Sequence, residues 1–399
     1  MLISEYIDLF ERELFESCAP FWVKYGFDHE NGGITTCLDR EGKVYSTDKS
    51  VWMQGRCGYM YSRLHNVFPD RDPGEWLPLA KSAIDFATAH CIDTDGRMFF
   101  QVTADGRPLR KRRYMFSETF YIIACAEYYK ATGDKNYLQR AEKYYDFVWN
   151  MYLDPSTDPY KITPKMVPGV RDTKALAVPM ILLNVTSVMM SVLPKDHKYP
   201  ENAKKLVKDI MAFRYADTSF MLESVGINGE YYGESASARI INPGHDIELS
   251  WFLLDEAVRT GDKKLQDFAE KVFNTAIDFG WDDEYGGILY FKDLEGKPVE
   301  AYEHDMKLWW PHNEAVIASL RLYKLTGAER YWDWFERVTD YAFEKFSDFK
   351  YGEWYGYLRR DGRPTRPPCK GHTYKGPFHV MRMLTEGIQT LKKLQKNDK

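Results

Sequence analysis

Two histidines that lie far apart in the sequence, His245 and His379, have the residue type and the setting expected of acid–base chemistry. An imidazole titrates near pH 6.5, so it can hold or release a proton around neutrality. His245 precedes Glu248 by three residues, which places both on one helix face. His379 lies in residues 370–382, a run that contains two lysines, two histidines, a tyrosine and an arginine. Two histidines aimed at one cavity would suit removal and return of a proton on opposite faces of a carbon.

Glu248 and His379 belong to six positions that recur along the whole chain. Thr-Gly pairs end helical segments at Thr132, Thr260 and Thr326, with gaps of 128 and 66 residues, or about two units and one unit of 65. Steps of 64 to 66 residues along the chain give Arg56, Phe120, Asn184, Glu248, Glu314 and His379. Five of these six residues are polar, and burial of several polar side chains in one place is costly unless a polar ligand compensates for it.

The elements that would position this set repeat with the same unit. Segments such as residues 118–131 and 264–279 carry apolar residues at steps of three and four, which predicts helices. Between alternate helices lie short loops with Gly, Asp and aromatic residues, which predict small β-hairpins. Residues 27–34 resemble residues 281–288, so the loops recur as well.

Two helices and a loop in each repeat of about 65 residues fit six times into the 399 residues of the chain. This pattern predicts an all-α fold, an (α/α)6 barrel of six inner and six outer helices, with short β-hairpins over the active-site face. The loop-bearing ends of the inner helices would converge on one funnel. No stretch has the composition of a linker, so the sequence predicts a single catalytic domain over residues 1–399.

Composition excludes several other classes of protein. The net charge is −5 and no basic run extends beyond residues 110–113, so nucleic acid is not an expected partner. The six cysteines have neither a CxxC motif nor metal-like spacing, which is typical of reduced, cytoplasmic proteins. No apolar stretch reaches the roughly 18 residues of a membrane span, and the first residues lack the pattern of a signal peptide.

The residue types in the funnel suggest a chemical role for each side chain. Arg56 would stabilise the oxyanion of an enediolate next to a carbonyl. Glu248 would orient His245 or raise its basicity, and Glu314 would hold hydroxyl groups. A metal ion could use His245 and Glu248 with His379, but Arg56 in the same funnel argues against a cation, and no metal is expected.

Aromatic residues beside these positions would wall the pocket together with Asn184. His312 lies two residues before Glu314, so it should point away from the funnel. The predicted substrate-binding residues are Asn184, Tyr114, Trp251, Trp309 and Trp310.

Longer motifs around these positions carry a resemblance that covers essentially the whole chain. They are MQGR (53–56), ALAVPMILLN (175–184), PGHDIELSW (243–251), KLWWPHNEA (307–315), YGEWYGYLRRDG (351–362) and KGPFHVMR (375–382). In this order they resemble the N-acylglucosamine 2-epimerase family, whose fold is an (α/α)6 barrel. The resemblance implies an isomerase that interconverts N-acetyl-D-glucosamine and N-acetyl-D-mannosamine at C2 of the ring-opened sugar. It implies that His245 and His379 are the acid–base pair, with Arg56, Glu248 and Glu314 in the pocket.

The resemblance also bears on the branch of the family and on effectors. Related cellobiose 2-epimerases and mannose isomerases usually carry another histidine a few residues after the counterpart of Asn184. Here that stretch reads NVTSVMM, which favours the N-acyl sugar branch. The family implies a homodimer, no cofactor for the chemistry, and ATP or a related nucleotide as an activator. Residues 164–171 resemble the basic loop linked with that effect, so Lys165 and Arg171 are the nucleotide candidates. No Walker motif is present.

Three alternatives stay open. A 2-epimerase or aldose–ketose isomerase of the cellobiose or mannose type would use the same scaffold and histidine pair. A glycoside hydrolase with this fold would use Glu248 and Glu314 as its two carboxylates, but it leaves the histidines and Arg56 without a role. A non-catalytic protein would use its aromatic surface to hold a partner.

Overall fold

A computed structural model describes residues 1–111, 114–160, 167 and 169–397. Most of this part of the chain is helical, and a π-helical turn, Glu13–Cys18, joins the first two helices. The α-helices are α1 Ile3–Arg12, α2 Ala19–Tyr25, α3 Val51–Val67, α4 Trp76–His90, α5 Phe116–Thr132, α6 Lys135–Leu153, α7 Ala177–Val192, α8 Lys198–Ile210, α9 Pro243–Thr260, α10 Lys263–Gly280, α11 Trp309–Thr326, α12 Glu329–Lys345 and α13 His379–Asn397.

The helices form two concentric layers. Helices α3, α5, α7, α9, α11 and α13 contact one another in this order, and α13 returns to α3. Each packs against an outer helix: α4, α6, α8, α10 and α12 cover the first five, and α1 with the π-helical turn covers α13. The predicted (α/α)6 barrel is therefore confirmed, and the six recurring positions fall one on each inner helix.

Sequence patterns explain which helices are inner and which are outer. In α5 every residue from 117 to 128 is buried, whereas α6 buries one face, mostly at steps of three and four, and leaves the rest half-buried or exposed. The Thr-Gly pairs end α5, α9 and α11 as predicted, with φ values of 73°, 71° and 68° at Gly133, Gly261 and Gly327. Glycine tolerates this left-handed conformation without strain. None of the described helices is long and apolar enough to cross a lipid bilayer.

Short strands connect the loops at one end of the barrel. The predicted local hairpins occur as single bridges, for example Phe27 with Ile34 and Trp281 with Ile288. The pairs β1–β2, β4–β5, β6–β7 and β8–β9, by contrast, join the loops of neighbouring repeats, and β2–β3 is a local hairpin within one loop; all are antiparallel. The strands are β1 Lys49–Ser50, β2 Gln101–Val102, β3 Pro108–Arg110, β4 Thr173–Ala175, β5 Ser224–Gly226, β6 Ile240–Ile241, β7 Lys292–Asp293, β8 Lys307–Leu308 and β9 Tyr357–Leu358.

Two buried lysines fasten the equivalent loops to the inner helices. Lys49 Nζ lies 2.8 Å from Asp28 Oδ2, and Lys307 Nζ lies 2.8 Å from Asp282 Oδ2. Each ammonium also donates to a glycine carbonyl of its loop. Because both lysine side chains are inaccessible to solvent, these partners offset the cost of burying a charge. The loops are thereby held against the first turns of α3 and α11.

Candidate active site

A cavity of about 640 Å³ lies where the inner helices begin. This volume is typical of small-molecule sites, which occupy roughly 300–1,000 Å³. Loop residues, including Glu303 and Tyr374, complete its wall. Among the predicted site residues, those that line the cavity are Arg56, Asn184, His245, Glu248, Trp309, Trp310 and His379.

His379, the first residue of α13, is held in one tautomer by Glu314. The distance from His379 Nδ1 to Glu314 Oε1 is 2.8 Å. An ionised carboxylate can only accept, so Nδ1 carries the hydrogen and Nε2 keeps a lone pair. Burial, reinforced by the cations of Arg56 and Arg382, holds the pKa of His379 well below its ordinary value. His379 is therefore neutral near pH 7.

His245, in the first turn of α9, has a different environment. Its Nδ1 lies 2.8 Å from Oε1 of Glu223, a residue just before β5. Burial opposes a charge on the ring, but Glu223 and then Glu248 outweigh it and raise the pKa of His245 above its ordinary value. The imidazolium of His245 is therefore more favoured than that of an ordinary histidine. Glu223 was absent from the sequence prediction, which gave the orienting role to Glu248.

Both histidines contact one indole ring. The ring centroid of Trp310 lies 5.1 Å from that of His245 and 6.0 Å from that of His379. The backbone before His245 approaches this indole so closely that a Cβ at Gly244 would lie 2.7 Å from it. Trp310 therefore fixes the position of both histidines relative to the same wall of the cavity.

Arg56 on α3 presents a guanidinium that no carboxylate of the described residues binds. It lies over the rings of Phe120 and Phe378, at 4.2 and 4.7 Å from their centroids. Its polar contact is a long one, 3.5 Å to the carbonyl oxygen of Tyr374, and its buried Nε has no hydrogen-bond partner among the described residues. Burial lowers the pKa of Arg56 to about 9. The group is suited to an anion that enters the cavity.

Arg382 on α13 is the second residue that the sequence prediction missed. Its guanidinium lies 2.5 Å from Glu248 Oε1 and 2.6 Å from Glu314 Oε1. Glu248, Glu314 and His379 place ligand atoms within 4.8 Å of one another, as a metal site would. Arg382 already neutralises the two carboxylates, so these residues fit a buried ion-pair cluster and do not fit a metal ion. Its signal in the sequence was its place three residues after His379.

Two of the predicted cavity residues lie behind the wall instead. Glu314 was expected to hold hydroxyl groups, but its side chain is fully buried and both of its oxygens are bonded within the protein. Trp251 donates from Nε1 to Glu314 and lies between Arg321 and Arg382, at 4.6 and 5.3 Å from its ring. Neither side chain lines the cavity, although the sequence predicted direct contact with the substrate, because His379 and Arg382 shield them.

Tyr114 and Arg171, two further predicted residues, lie outside the cavity. Tyr114 stacks on Phe116, with centroids 5.6 Å apart, and is 40% exposed. Tyr114 is therefore not among the residues that line the cavity, where the sequence predicted it. Arg171 is exposed and pairs with Glu234 at 2.9 Å, and Lys165 is outside the described residues.

His312 points away from the cavity, as predicted. Its Nε2 accepts a hydrogen bond of 2.9 Å from the backbone N–H of Ile288. In the equivalent loop, Oε1 of Gln54 accepts one of 2.8 Å from the backbone N–H of Ile34. Burial lowers the pKa of His312 to about 3, so it stays a neutral acceptor. Gln54 and His312 do the same structural work in two repeats.

Comparison with known proteins places this site in context. The family model for N-acylglucosamine 2-epimerase (GlcNAc 2-epimerase) matches residues 32–381. The chain is 36% identical to the N-acylglucosamine 2-epimerase of Rattus norvegicus over 94% of its length and 90% of that protein. It is 26% identical to a cellobiose 2-epimerase of Ruminococcus albus, over 97% and 98% of the two chains. The solved structure of cellobiose 2-epimerase from Spirochaeta thermophila superimposes with a TM-score of 0.85 at 22% identity, covering 98% of each chain.

Proposed function

The chain belongs to the N-acylglucosamine 2-epimerase family, and from this membership and the geometry of the cavity we propose that it interconverts N-acetyl-D-glucosamine and N-acetyl-D-mannosamine. The enzyme is then a carbohydrate isomerase that inverts C2 of the open-chain sugar. The observation that carries this proposal is the pair of histidines in the cavity wall, each oriented by a glutamate at 2.8 Å, whose surroundings shift their pKa values in opposite directions. One is poised to accept a proton while the other is poised to donate one.

The first step uses His379 as the base. In the open-chain sugar, C2 lies next to the C1 aldehyde, so loss of its proton gives an enolate whose negative charge lies on O1. The C2–H bond breaks, its proton goes to Nε2 of His379, and the electron pair moves through C1=C2 to O1. Arg56, which lacks a carboxylate partner, is placed to stabilise the negative charge that develops there.

The second step uses His245 as the acid. Its imidazolium gives a proton to C2 from the opposite face, and the electron pair on O1 restores the aldehyde with inverted configuration. His245 is then neutral and His379 is charged, so the pair must exchange protons with water to return to its favoured state. The reverse reaction uses the same groups with exchanged roles, as microscopic reversibility requires.

Deuterium exchange tests the reaction class and the substrate together. We expect N-acetylmannosamine, incubated with the protein in heavy water, to gain deuterium at C2 and to yield N-acetylglucosamine labelled at the same carbon. The product ratio and label position can be read by proton NMR. Failure to exchange C2, with and without added ATP, would reject the proposal.

The runner-up is an epimerase or isomerase of the cellobiose or mannose type. Its scaffold is the same, but the curated cellobiose 2-epimerase from Ruminococcus albus is less similar in sequence than the rat protein. A parallel exchange experiment with cellobiose, mannose and glucose separates the two functions. Exchange that is faster on any of these sugars than on N-acetylmannosamine would favour the runner-up.

We extend the proposal to effectors and assembly on the strength of the family resemblance. ATP or a related nucleotide would act as an activator and not as a reactant, with Lys165 and Arg171 as candidate contacts. A phosphate at Arg171 would have to compete with Glu234. Assays of Arg171→Ala with and without ATP, and of wild type with a non-hydrolysable analogue, test this part.

We also propose a homodimer in the cytoplasm. The six cysteines are free thiols in the structure, and five of them are buried, which supports a reducing compartment. Light scattering coupled to gel filtration tests the oligomeric state, and a mass equal to that of one chain would reject the dimer.

A further inference from the structure

The wall of the cavity has two halves of different chemistry. The charged residues that helices contribute come from α3, α9 and α13, and a loop adds Glu303. Helices α5 and α7 contribute apolar side chains, among them Ile123, Ala177, Met180 and Ile181. The described part of these two helices adds a single polar side chain to the wall, Asn184 on α7.

Asn184 is half-buried in this apolar half and lacks a protein partner. Its side-chain amide makes no hydrogen bond to any described residue, although the amide offers both donors and an acceptor. An apolar wall with one such amide is complementary to a group of the same composition, a planar amide that carries an alkyl chain.

The order of the inner helices places this wall opposite the base. In a ring in which α3, α5, α7, α9, α11 and α13 follow one another, α7 is opposite α13, the helix that begins with His379. A carbon held against His379 therefore directs one of its substituents across the cavity towards α7. In an N-acylhexosamine, C2 carries the acylamino group.

We propose that Asn184 and the apolar wall formed by Ile123, Ala177, Met180 and Ile181 are the subsite for the acylamino group. This inference rests on the proposed function and adds the residues that select for it. Asn184 pairs with the substrate amide, and the alkyl chain lies against α5 and α7. Ala177, the first residue of α7, has the smallest of these side chains, so the wall leaves room for unbranched acyl groups longer than acetyl.

An acyl-length series tests the apolar part of the subsite. C2 deuterium exchange is measured with N-acetyl-, N-propanoyl- and N-butanoylmannosamine, and kcat/KM is compared within each protein. Ala177→Leu should lower the butanoyl-to-acetyl ratio by about 10-fold or more, because added methylenes in a filled pocket discriminate by this factor. The matched control is Val178→Leu, on the same turn but outside the cavity wall, and its ratio should stay within about 2-fold of wild type.

Mannose, which has no acylamino group, tests Asn184. Asn184→Leu should reduce the preference for N-acetylmannosamine over mannose by about 10- to 100-fold, because the substrate amide loses its partner in a desolvated site. Asn184→Asp, which keeps the acceptor and loses the donors, should give an intermediate preference. A structural role alone would lower kcat/KM for both sugars by the same factor.

The outcomes separate this inference from the function on which it rests. If wild type exchanges C2 of N-acetylmannosamine but the ratios in Ala177→Leu and Asn184→Leu equal those of wild type, the subsite lies elsewhere. If wild type exchanges C2 of no N-acyl sugar, the proposed function itself fails. Should Ala177→Leu not fold, Ile181→Ala enlarges the same wall and should raise the butanoyl-to-acetyl ratio, and an unchanged ratio would equally overturn the inference.

Discussion

His245 and His379 have the same side chain and the same type of partner, yet their surroundings give them opposite charge preferences. Each Nδ1 lies 2.8 Å from a glutamate oxygen. Among the described residues, the carboxylate of Glu223 binds the side chain of His245 and no other, and His245 is 25% exposed. Glu314, the partner of His379, also forms an ion pair with Arg382, and His379 is 8% exposed. The comparison teaches that a carboxylate already paired with a cation does not offset the burial that lowers the pKa of an imidazole.

Removal of either histidine is expected to have the largest effect. His379→Ala and His245→Ala should each lower the epimerisation rate by about 10²- to 10⁴-fold, because proton transfer in one of the two steps loses its group. The matched control is His312→Gln, since Gln54 makes the equivalent backbone contact in the other loop, and its rate should stay near that of wild type. A near wild-type rate in either alanine variant would remove that histidine from the mechanism.

Arg382→Met removes the cation that makes the environment of His379 different from that of His245. Two buried carboxylates would lose their partner, so the free energy of unfolding should fall by about 3–5 kcal/mol. The pKa of His379 should rise, because a cation beside it is gone and Glu314 is free to favour the imidazolium. Urea denaturation measures the first effect. Arg107→Met, at an exposed ion pair, should cost less than about 1 kcal/mol, and equal losses in both variants would contradict the buried-cluster account.

Matched substitutions of the two carboxylates should act on different limbs of the pH profile. In Glu223→Gln the pKa of His245 should fall, so the alkaline limb of kcat/KM should move to lower pH. In Glu314→Gln the pKa of His379 should fall further, so the acid limb should move to lower pH. At neutral pH, Glu223→Gln should lower the rate about 10- to 100-fold, as loss of a charge-assisted hydrogen bond of roughly 1.5–3 kcal/mol predicts. Movement of the same limb in both variants would refute the division of roles.

The pH profile of the wild type is the mildest test of the comparison. Activity requires one proton on the histidine pair, since one ring must be neutral and the other charged. The pKa of His379 is lowered and that of His245 is raised. The acid limb of the activity profile should therefore lie at a pH below the ordinary histidine pKa, and the alkaline limb at a pH above it. A plateau that includes pH 6.5 is expected for both directions of the reaction. A maximum with its acid limb above this value would contradict the assigned charges.

Sequence patterns predicted the barrel well because the fold is built from one repeated unit. The Thr-Gly pairs and the equivalent loops record that unit directly, and six recurring positions followed from counting. The same alignment of repeats could have identified His312 as structural, since it makes His312 equivalent to Gln54. The single-domain prediction was drawn from the same counting.

Partner residues were harder to predict than cavity residues. Glu223 lies in a loop 22 residues before His245, and no periodicity relates a loop residue to a helix position. Glu314 and Trp251 occupy inner helices as predicted, but a repeat cannot show which side chain faces the cavity and which one packs behind it. Whether Glu314 and Trp251 face the cavity or pack behind its wall depends on Arg382, a residue without a counterpart among the six positions.

The shared contact of both histidines with Trp310 gives the proton chemistry an optical signal. An excited indole loses its energy to a nearby charged imidazolium more readily than to a neutral imidazole, so fluorescence from Trp310 should brighten as His245 loses its proton. The chain has 11 tryptophans, and the spectrum of a Trp310→Phe variant, subtracted from that of wild type, isolates this emitter. A titration without substrate would then follow the charge on the resting histidine pair, independently of turnover.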